Sequence, residues 1–242
     1  MNPLKNNSLK KTMLFRSVLL VGIILLLDQI LKIYIKTHFV LGEHVYVLGT
    51  YFQLYFIENN GMAFGMQFGG QAGKIILSLV RIFAVIIIGY VIYKSITKKE
   101  SKLLIYSLCL IMAGALGNII DSAFYGLIFS ESNHFIPAVA FPEGGGYAGF
   151  LQGKVVDMFY INLSWPQWMP WLGGSQVFPP IFNLADSSIT TGVLILLVFY
   201  NKIFKKNSDK HTLPSQKKIT ENQEVKEVNI TSDEQENQSK EE

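Results

Sequence analysis

The sequence predicts a mainly α-helical integral membrane protein with four transmembrane helices, a small extracytoplasmic β-sheet and an interfacial helix or loop. Half of the 242 residues are hydrophobic and only 16% are charged, a balance that is apolar for a globular domain but ordinary for a membrane protein. Four hydrophobic runs are each long enough to cross a bilayer core of about 30 Å as a helix. They cover approximately residues 14–35, 74–94, 103–121 and 185–203.

The two ends of the chain differ in composition. No small-residue cleavage site follows the first hydrophobic run, so we expect it to be a retained helix rather than a removable signal peptide. After Lys206 the chain turns to Lys, Glu, Asn, Gln, Ser and Thr without an aromatic residue, a composition that cannot bury enough surface to fold. We therefore expect a membrane domain over residues 1–206 and a disordered cytoplasmic tail over residues 207–242.

The positive charges predict the orientation. Lysines and arginines cluster before the first run, between the second and third, and after the fourth, which places these segments and both termini in the cytoplasm. The clusters are Lys5, Lys10, Lys11 and Arg16; Lys94, Lys98, Lys99 and Lys102; and Lys202, Lys205 and Lys206. Segment 37–73 has no Lys or Arg and segment 122–184 has only Lys154, so both should face outward. The charges form no single patch of the kind that binds nucleic acid.

The outer segments have different local patterns. Residues 44–59 are rich in Val, Tyr and Phe, with glycine punctuation and partial alternation, which indicates short strands of a small sheet. The stretch WPQWMPW carries the three tryptophans of the chain, which are typical of the lipid headgroup level.

Several hydrolytic chemistries lack their residues. Cys109 is the only cysteine and lies in the third hydrophobic run, so an intrachain disulfide is excluded and a buried packing role is expected. The four histidines form no zinc-binding pattern, and no G-x-S-x-G motif is present. We therefore expect no metal and no cofactor, and aspartate is the remaining candidate catalyst.

Carboxylates in or beside membrane spans are costly and need a partner or a function. Asp28 lies toward the outer end of the first run with Lys32 one turn later, so the two can pair. Asp121 and Asp186 end the third run and begin the fourth, and each follows an asparagine by three residues. In a helix this spacing puts Asn118 beside Asp121, and Asn183 beside Asp186, on one face.

Asp157 stands in the apolar stretch KVVDMFYI, where desolvation would raise its pKa. If Asp157 met Asp186, the two carboxylates could share one proton, as in an aspartic protease dyad. One would activate water while the other polarised the scissile carbonyl. Helix capping or surface exposure is a reasonable explanation of any single aspartate, but it explains the four together less well.

Five motifs, in order along residues 14–203, resemble those of the bacterial lipoprotein signal peptidases, the signal peptidase II family of aspartic peptidases. They are DQILK at 28–32, ENNGMAFGM at 58–66, GALGNIIDS at 114–122, VVDMF at 155–159 and FNLADSSITTG at 182–192. The resemblance implies removal of the signal peptide from prolipoproteins, by cleavage before the diacylglyceryl-modified lipobox cysteine. The implied partners are these substrates and membrane lipids, and the implied setting is the bacterial inner membrane, with a monomeric enzyme whose active site is at the outer face.

The resemblance also implies residue roles. Asp157 and Asp186 would be the catalytic pair, and Asp28 and Lys32 would stabilise the fold around them. Residues expected to support substrate binding and dyad geometry are Asn60, Gly61, Asn118, Asp121, Asn183 and Ala185.

The sequence departs from the family pattern at two places. The family has an arginine after the aspartate of G-N-x-x-D, where this chain has Ser122, so whatever that arginine holds must be held differently. About thirty extra residues, roughly 123–153, separate this motif from V-V-D, and they could reshape substrate access or the lid. Neither departure removes a proposed catalytic carboxylate.

Two other classes of function remain open. Intramembrane carboxylates also mark ion- or proton-coupled transporters, although those favour acids near the midplane and inverted repeats. A non-catalytic scaffold that holds a partner through its outer loops would be insensitive to Asp→Asn changes.

Overall fold

The computed structural model describes residues 3–60, 70–177 and 181–203, and it has three long apolar helices. Helix α1 spans Pro3–His38, α2 spans Gly70–Lys98 and α3 spans Lys102–Ile120. The stretches long and apolar enough to cross a membrane are Asn7–His38, Ala72–Lys98 and Lys102–Ile128. The first three hydrophobic runs therefore form the predicted long helices.

The chain remains helical for one π-helical turn and one short α-helix after α3 ends. A π-helical turn, Asp121–Tyr125, is followed by the short helix α4, Gly126–Ile128. π-helical turns are rare and are frequent at functional sites. This turn buries Asp121, the aspartate of the G-N-x-x-D motif.

The fourth hydrophobic run forms helix α5, Leu184–Val198, which has 15 residues. It begins where the sequence predicts. A turn at residue 199 ends the uninterrupted helix, and residues 200–203 are helical again. An apolar helix of this length is shorter than the roughly 20 residues of a typical span. Four spans therefore remain part of the proposal made below, while three long helices are established for the described residues.

The small β-sheet is confirmed. Strands β1 (His44–Leu48), β2 (Phe52–Asn59) and β3 (Val155–Ile161) form an antiparallel sheet in the order β1-β2-β3. The first two strands lie in the segment that the sequence predicts to be extended. The third strand was missed as a strand, because residues Val155 to Met158 are all buried and show no alternation of apolar and polar residues.

The sheet register positions Asp157. Ile57 pairs with Asp157, and Asn59 pairs with Val155. Asp157 therefore lies near the end of β2, where the E-N-N-G motif begins. The remaining outer residues that are described, 39–60 and 129–177, contain no helix, so the predicted interfacial helix is not seen in this part of the chain.

Close approach of α1, α3 and α5 depends on glycines of the third helix. A Cβ added at Gly117 would lie 2.6 Å from Asp28 Oδ2 and 3.1 Å from the Cβ of Ala185, and one added at Gly114 would lie 2.1 Å from the Ala185 carbonyl oxygen. Small residues at such crossings let helix backbones approach in membranes. The three helices consequently meet at the depth of Asp28.

Candidate active site

A buried cluster of charges joins α1 to the π-helical turn. Lys32 Nζ lies 3.0 Å from Asp28 Oδ2 and 2.8 Å from Asp121 Oδ2, and all three side chains are almost completely buried. Lys32 also donates to Asn118 Oδ1 at 2.8 Å. Two carboxylates and an amide oxygen thus satisfy all three protons of the ammonium group.

Asp121 connects the elements that surround it. Its Oδ1 accepts a hydrogen bond from Gln29 Nε2 at 2.9 Å, and its Oδ2 accepts one from the Val156 amide at 3.2 Å. Tyr125 donates to Gln29 Oε1 at 3.2 Å. Asp121 therefore fixes strand β3, one residue before Asp157, against α1 and the π-helical turn.

Asp28 fixes the start of α5. Its Oδ1 accepts a hydrogen bond from the Ala185 amide at 2.9 Å, while its Oδ2 pairs with Lys32. A carboxylate is favoured at a helix N-terminus by the unsatisfied amides and the helix dipole. Ala185 itself is buried and packs against α3, which is a packing contact between helices.

Asn183 caps α5 and also binds Asp157. Its Oδ1 accepts from the backbone N–H of Asp186 at 2.9 Å, and its backbone N–H donates to Asp186 Oδ2 at 3.4 Å. These two bonds form a reciprocal capping box. Its Nδ2 donates to Asp157 Oδ1 at 2.7 Å and to Asn118 Oδ1 at 3.2 Å. One asparagine therefore holds the first turn of α5 and the carboxylate on β3 at fixed positions relative to each other.

The two asparagine–aspartate motifs are joined by hydrogen bonds. Asn118 Nδ2 donates to Asp186 Oδ1 at 2.8 Å, so it binds the aspartate of the other motif rather than Asp121. Asn118 and Asp121 share one face of the helix, as the spacing predicts, because both contact Lys32 Nζ. The contact between Asn118 and Asp186 adds a link between α3 and α5. Asp157 and Asp186 are brought together through Asn183 and Asn118.

The environment of Asp157 changes its acidity. Burial first, and the negative charge of Asp186 second, raise the pKa of Asp157 to about 7. Hydrogen bonds from Asn183 and Asn59 and the charge of Lys32 oppose this rise. Near neutral pH, Asp157 can therefore carry a proton beside a second carboxylate.

Comparison with known proteins agrees with this geometry. A sequence model of the family described as signal peptidase (SPase) II matches residues 20–202. The chain belongs to the signal peptidase II family. It is therefore a peptidase, and the apolar helices identify it as a multi-pass membrane protein.

Curated relatives of the signal peptidase II family cover most of the chain. A lipoprotein signal peptidase of Porphyromonas gingivalis is 46% identical over 202 residues, covering 81% of this chain and 87% of that protein. A lipoprotein signal peptidase of Amoebophilus asiaticus is 36% identical over 197 residues, covering 78% of each chain. A solved structure of a bacterial membrane enzyme has a TM-score of 0.51 and 25% identity, covering 76% of this chain and 90% of the other.

Two polar residues near the site are not singled out by the sequence motifs as site residues. Gln29 bridges Asp28 and Asp121, and Arg81 of α2 is close enough to interact electrostatically with Asp186, Asp121 and Asp157. Both are polar residues inside apolar runs, which is itself a signal of function or of a buried partner.

The residues that the family pattern singles out are located as follows. Asn60 directly follows β2 and is half-buried, and Gly61 lies outside the described residues. Ser122, which stands where the family has arginine, donates from its hydroxyl to the Asn118 carbonyl at 2.9 Å, and its own carbonyl accepts from the Gly153 amide at 2.8 Å. In the described part of the chain, no cluster of three or more His, Cys, Asp or Glu could hold a metal ion.

Proposed function

We propose that this chain is a lipoprotein signal peptidase of the aspartic class, with Asp157 and Asp186 as its catalytic pair. It would remove the signal peptide from prolipoproteins by cutting before the diacylglyceryl-modified lipobox cysteine. The observation that carries the proposal is the hydrogen-bonded bridge Asp157–Asn183–Asn118–Asp186, in which each carboxylate accepts an amide N–H. The curated relatives from Porphyromonas and Amoebophilus support the choice of substrate by their names.

The proton assignment follows from the two environments. Asp186 accepts hydrogen bonds at both oxygens, from the Asn118 side-chain Nδ2 and from the Asn183 backbone N–H, which suits an ionised carboxylate. Asp157 is buried, and its raised pKa suits a carboxylic acid that holds the shared proton. We therefore assign the base to Asp186 and the acid to Asp157.

The reaction then needs no covalent intermediate. Asp186 takes a proton from a water molecule while the oxygen of that water attacks the scissile carbonyl carbon. At the same time Asp157 gives its proton to the carbonyl oxygen. The resulting tetrahedral diol collapses when the carbon–nitrogen bond breaks and Asp186 gives the proton that it took from water to the departing amine of the lipidated cysteine. A hydroxyl of the diol returns a proton to Asp157 as the new carboxylic acid forms, so Asp157 is again protonated and Asp186 is again ionised.

The orientation belongs to the same proposal. The site carboxylates lie at the ends of α3 and α5 that are remote from the lysine clusters at Lys98, Lys99 and Lys102 and at Lys202. With four spans and the lysines in the cytoplasm, both termini are cytoplasmic and the site is at the outer face. The proposed enzyme is a monomer.

Cleavage of a diacylglyceryl lipobox peptide by the purified protein in bilayers tests the proposal. Wild type should cut before the lipidated cysteine, and Asp157→Asn and Asp186→Asn should each lose activity by several orders of magnitude while remaining folded by circular dichroism. Glu143→Gln is the matched control, because Glu143 is exposed and lies outside the proposed site.

Three results would count against the proposal. These are an intact peptide with well-folded wild type, normal cutting by either Asp→Asn variant, and cleavage at another bond. Normal cutting by one variant would reject the pair but leave the peptidase activity in place.

A further inference from the structure

The extra residues between G-N-x-x-D and V-V-D form an ordered insertion whose later part folds back on the short helix α4, Gly126–Ile128, at its start. The Phe141 amide donates to the Ile128 carbonyl at 2.7 Å, the Ala148 amide to that of Gly126 at 2.9 Å, and the Tyr147 amide to that of Phe129 at 3.1 Å. Ile128 is the last residue of the membrane-spanning stretch Lys102–Ile128. The insertion is therefore fixed at the rim of the membrane.

A buried ionic cluster holds the other side of the insertion. Lys36 at the end of α1 is paired with Glu58 of β2, and Ser132 of the insertion bridges them, accepting from Lys36 at 2.9 Å and donating to Glu58 at 2.8 Å. Lys154 lies 3.5 Å from the second oxygen of Glu58. With one edge bonded to α4 and the other to α1 and β2, the exposed side chains of the insertion have defined positions.

Those exposed side chains are unusually apolar. Phe135 is 88% exposed and Phe141 81%, and Ile136, Val139 and Phe150 are also exposed. Between residues 135 and 151 the only charged residue is Glu143. Each large side chain left in water forgoes about 1.5–3 kcal/mol of burial free energy, so a fixed set of them indicates a contact outside the chain.

The backbone at Phe141 gives a second, independent indication. Its φ is +52°, in the left-handed region that a glycine adopts freely and that costs a bulky residue about 1–3 kcal/mol. Trp171, in the tryptophan-rich loop, shares the combination, with a φ of +68° and a fully exposed ring. At both positions a large aromatic ring is held outward where glycine would relieve the strain, and neither ring is buried in the chain.

The surface that faces lipid continues onto the insertion. Phe124 and Leu127 belong to the membrane-spanning stretch and are about half exposed. The ring of Phe124 packs edge-on against that of Phe150 at 6.0 Å between centroids. Phe150 thus extends the apolar face of a transmembrane helix without a polar break.

We propose that the insertion is seated in the bilayer, with Phe135, Phe141 and Phe150 among the acyl chains of the leaflet on the active-site side. Glu143 remains at the water boundary, and the tryptophan-rich loop lies at headgroup level, where indole rings are favoured. The inference depends on the membrane location of the chain and is independent of the catalytic pair.

Spin-label accessibility in lipid bilayers tests the proposal. Cysteine is placed at residue 135, 141 or 150 in a Cys109→Ala background and labelled with a nitroxide, and relaxation by oxygen is compared with relaxation by a water-soluble nickel chelate. A label at residue 83, where Phe83 is exposed on α2, gives the hydrocarbon reference, and a label at residue 143 gives the water reference. Labels at residues 135, 141 and 150 should show oxygen-to-nickel ratios several-fold higher than that of the label at residue 143. Their ratios should approach that of the label at residue 83.

Each alternative occupant gives a different result. Labels as open to nickel as the one at residue 143 would overturn the proposal. Protection that appears only after a lipopeptide is added would assign the surface to substrate instead. Dipolar coupling between labels that grows with protein density would assign it to a second copy. Far-UV circular dichroism of each labelled protein identifies any position that disturbs the fold, and the other positions then decide.

Discussion

Asn183 donates from Nδ2 to Asp157 Oδ1 at 2.7 Å while its own Oδ1 accepts from the Asp186 amide at 2.9 Å. The same side chain is therefore a helix cap and a positioning group for the proposed dyad. These two duties use different atoms of the amide. A substitution that keeps one atom and removes the other can separate them.

Asn183→Ser should retain the fold and lose activity. The serine hydroxyl can still cap α5, since Ser and Asn are comparable N-cap residues, but it cannot reach Asp157 as the amide does. We expect a fall in kcat of roughly 100-fold, the size of effect that misplacement of a reacting group typically has. Asn183→Ala should lose the same activity and, in addition, about 1 kcal/mol of capping.

The readouts are kcat with a lipobox peptide and thermal unfolding in the same detergent. If Ser and Ala lower stability and activity in parallel, the asparagine is only a cap. Full activity of the serine variant would show that Asp157 needs no amide partner.

Asp157 should make stability fall as the pH rises. Its folded-state pKa of about 7 lies above the value of about 3.9 expected for an unfolded chain. Between these values the folded protein binds more protons, so the free energy of unfolding decreases with increasing pH through that window. Asp157→Asn removes the buried charge, and it should be more stable than wild type above pH 7, by up to about 4 kcal/mol.

Thermal unfolding at pH 5 and pH 8 provides the measurement, with Glu143→Gln as the exposed control. The advantage of Asp157→Asn should be larger at pH 8 than at pH 5. An equal advantage at both pH values would show that Asp157 does not titrate in this range.

Arg81 should set the pH range of activity. The proposed mechanism requires protonated Asp157, so kcat/KM should fall above pH 7 as that acid ionises. Arg81 is close enough to stabilise the ionised form of Asp157 electrostatically. Arg81→Gln should therefore raise the pKa of Asp157 and move the alkaline limb of the profile upward by roughly 0.5–1 pH unit.

Arg81→Lys keeps the charge and is the matched control, with a limb expected near the wild-type position. A Gln variant with reduced kcat but an unmoved limb would assign Arg81 a structural duty. Moving the limb downward would contradict the assignment of the acid to Asp157.

Long hydrophobic runs and ordered motifs predict the three long helices, the first two strands and the residues around the site, because these depend on local composition and spacing. The pairing within the site does not follow from them. Asn118 and Asp186 are far apart in sequence, and their contact requires α3 and α5 to approach at Gly114 and Gly117. The i−3 spacing predicts that each asparagine shares a face with its own aspartate, but it does not predict that Asn118 donates to the aspartate of the other motif.

The sequence does not predict strand β3 or the interaction of Arg81 with the site carboxylates, for two different physical reasons. Residues 155–158 are buried on both faces, so periodicity cannot distinguish them from a short buried helix. Arg81 lies inside a run that hydropathy marks only as apolar. Its partners come from the π-helical turn, β3 and α5, and only the assembled fold places them within range.

Lys32 should be essential for folding rather than for chemistry. Removal of one partner from a buried ion cluster leaves uncompensated charge and typically costs about 3–5 kcal/mol. Lys32→Met would leave Asp28 and Asp121 facing each other without a cation. We expect a strong loss of thermal stability, and a partial recovery when Asp121→Asn is added, because one buried negative charge is then removed.

The coupling between the two changes is read from a double-mutant cycle on the unfolding midpoint. Additive effects would show that Lys32 and Asp121 do not interact energetically. Lys36→Met offers a comparison outside the proposed dyad, since Lys36 pairs with Glu58 in the separate cluster that holds the insertion.

Gly117→Ala should disrupt the site through packing alone. The added methyl group would lie 2.6 Å from Asp28 Oδ2 and 3.1 Å from the Cβ of Ala185, closer than side chains tolerate. Asp28 must then move, and with it the hydrogen bond that fixes the Ala185 amide at the start of α5. Overpacking of this kind typically costs about 1–3 kcal/mol, and we expect reduced activity because Asp186 follows Ala185 directly.

Gly22→Ala is the matched control on α1, where an added Cβ meets nothing within 4 Å, and it should leave both unfolding temperature and cleavage rate unchanged. Equal behaviour of the two alanine variants would mean that α1, α3 and α5 do not approach as closely as the contacts at Gly117 require.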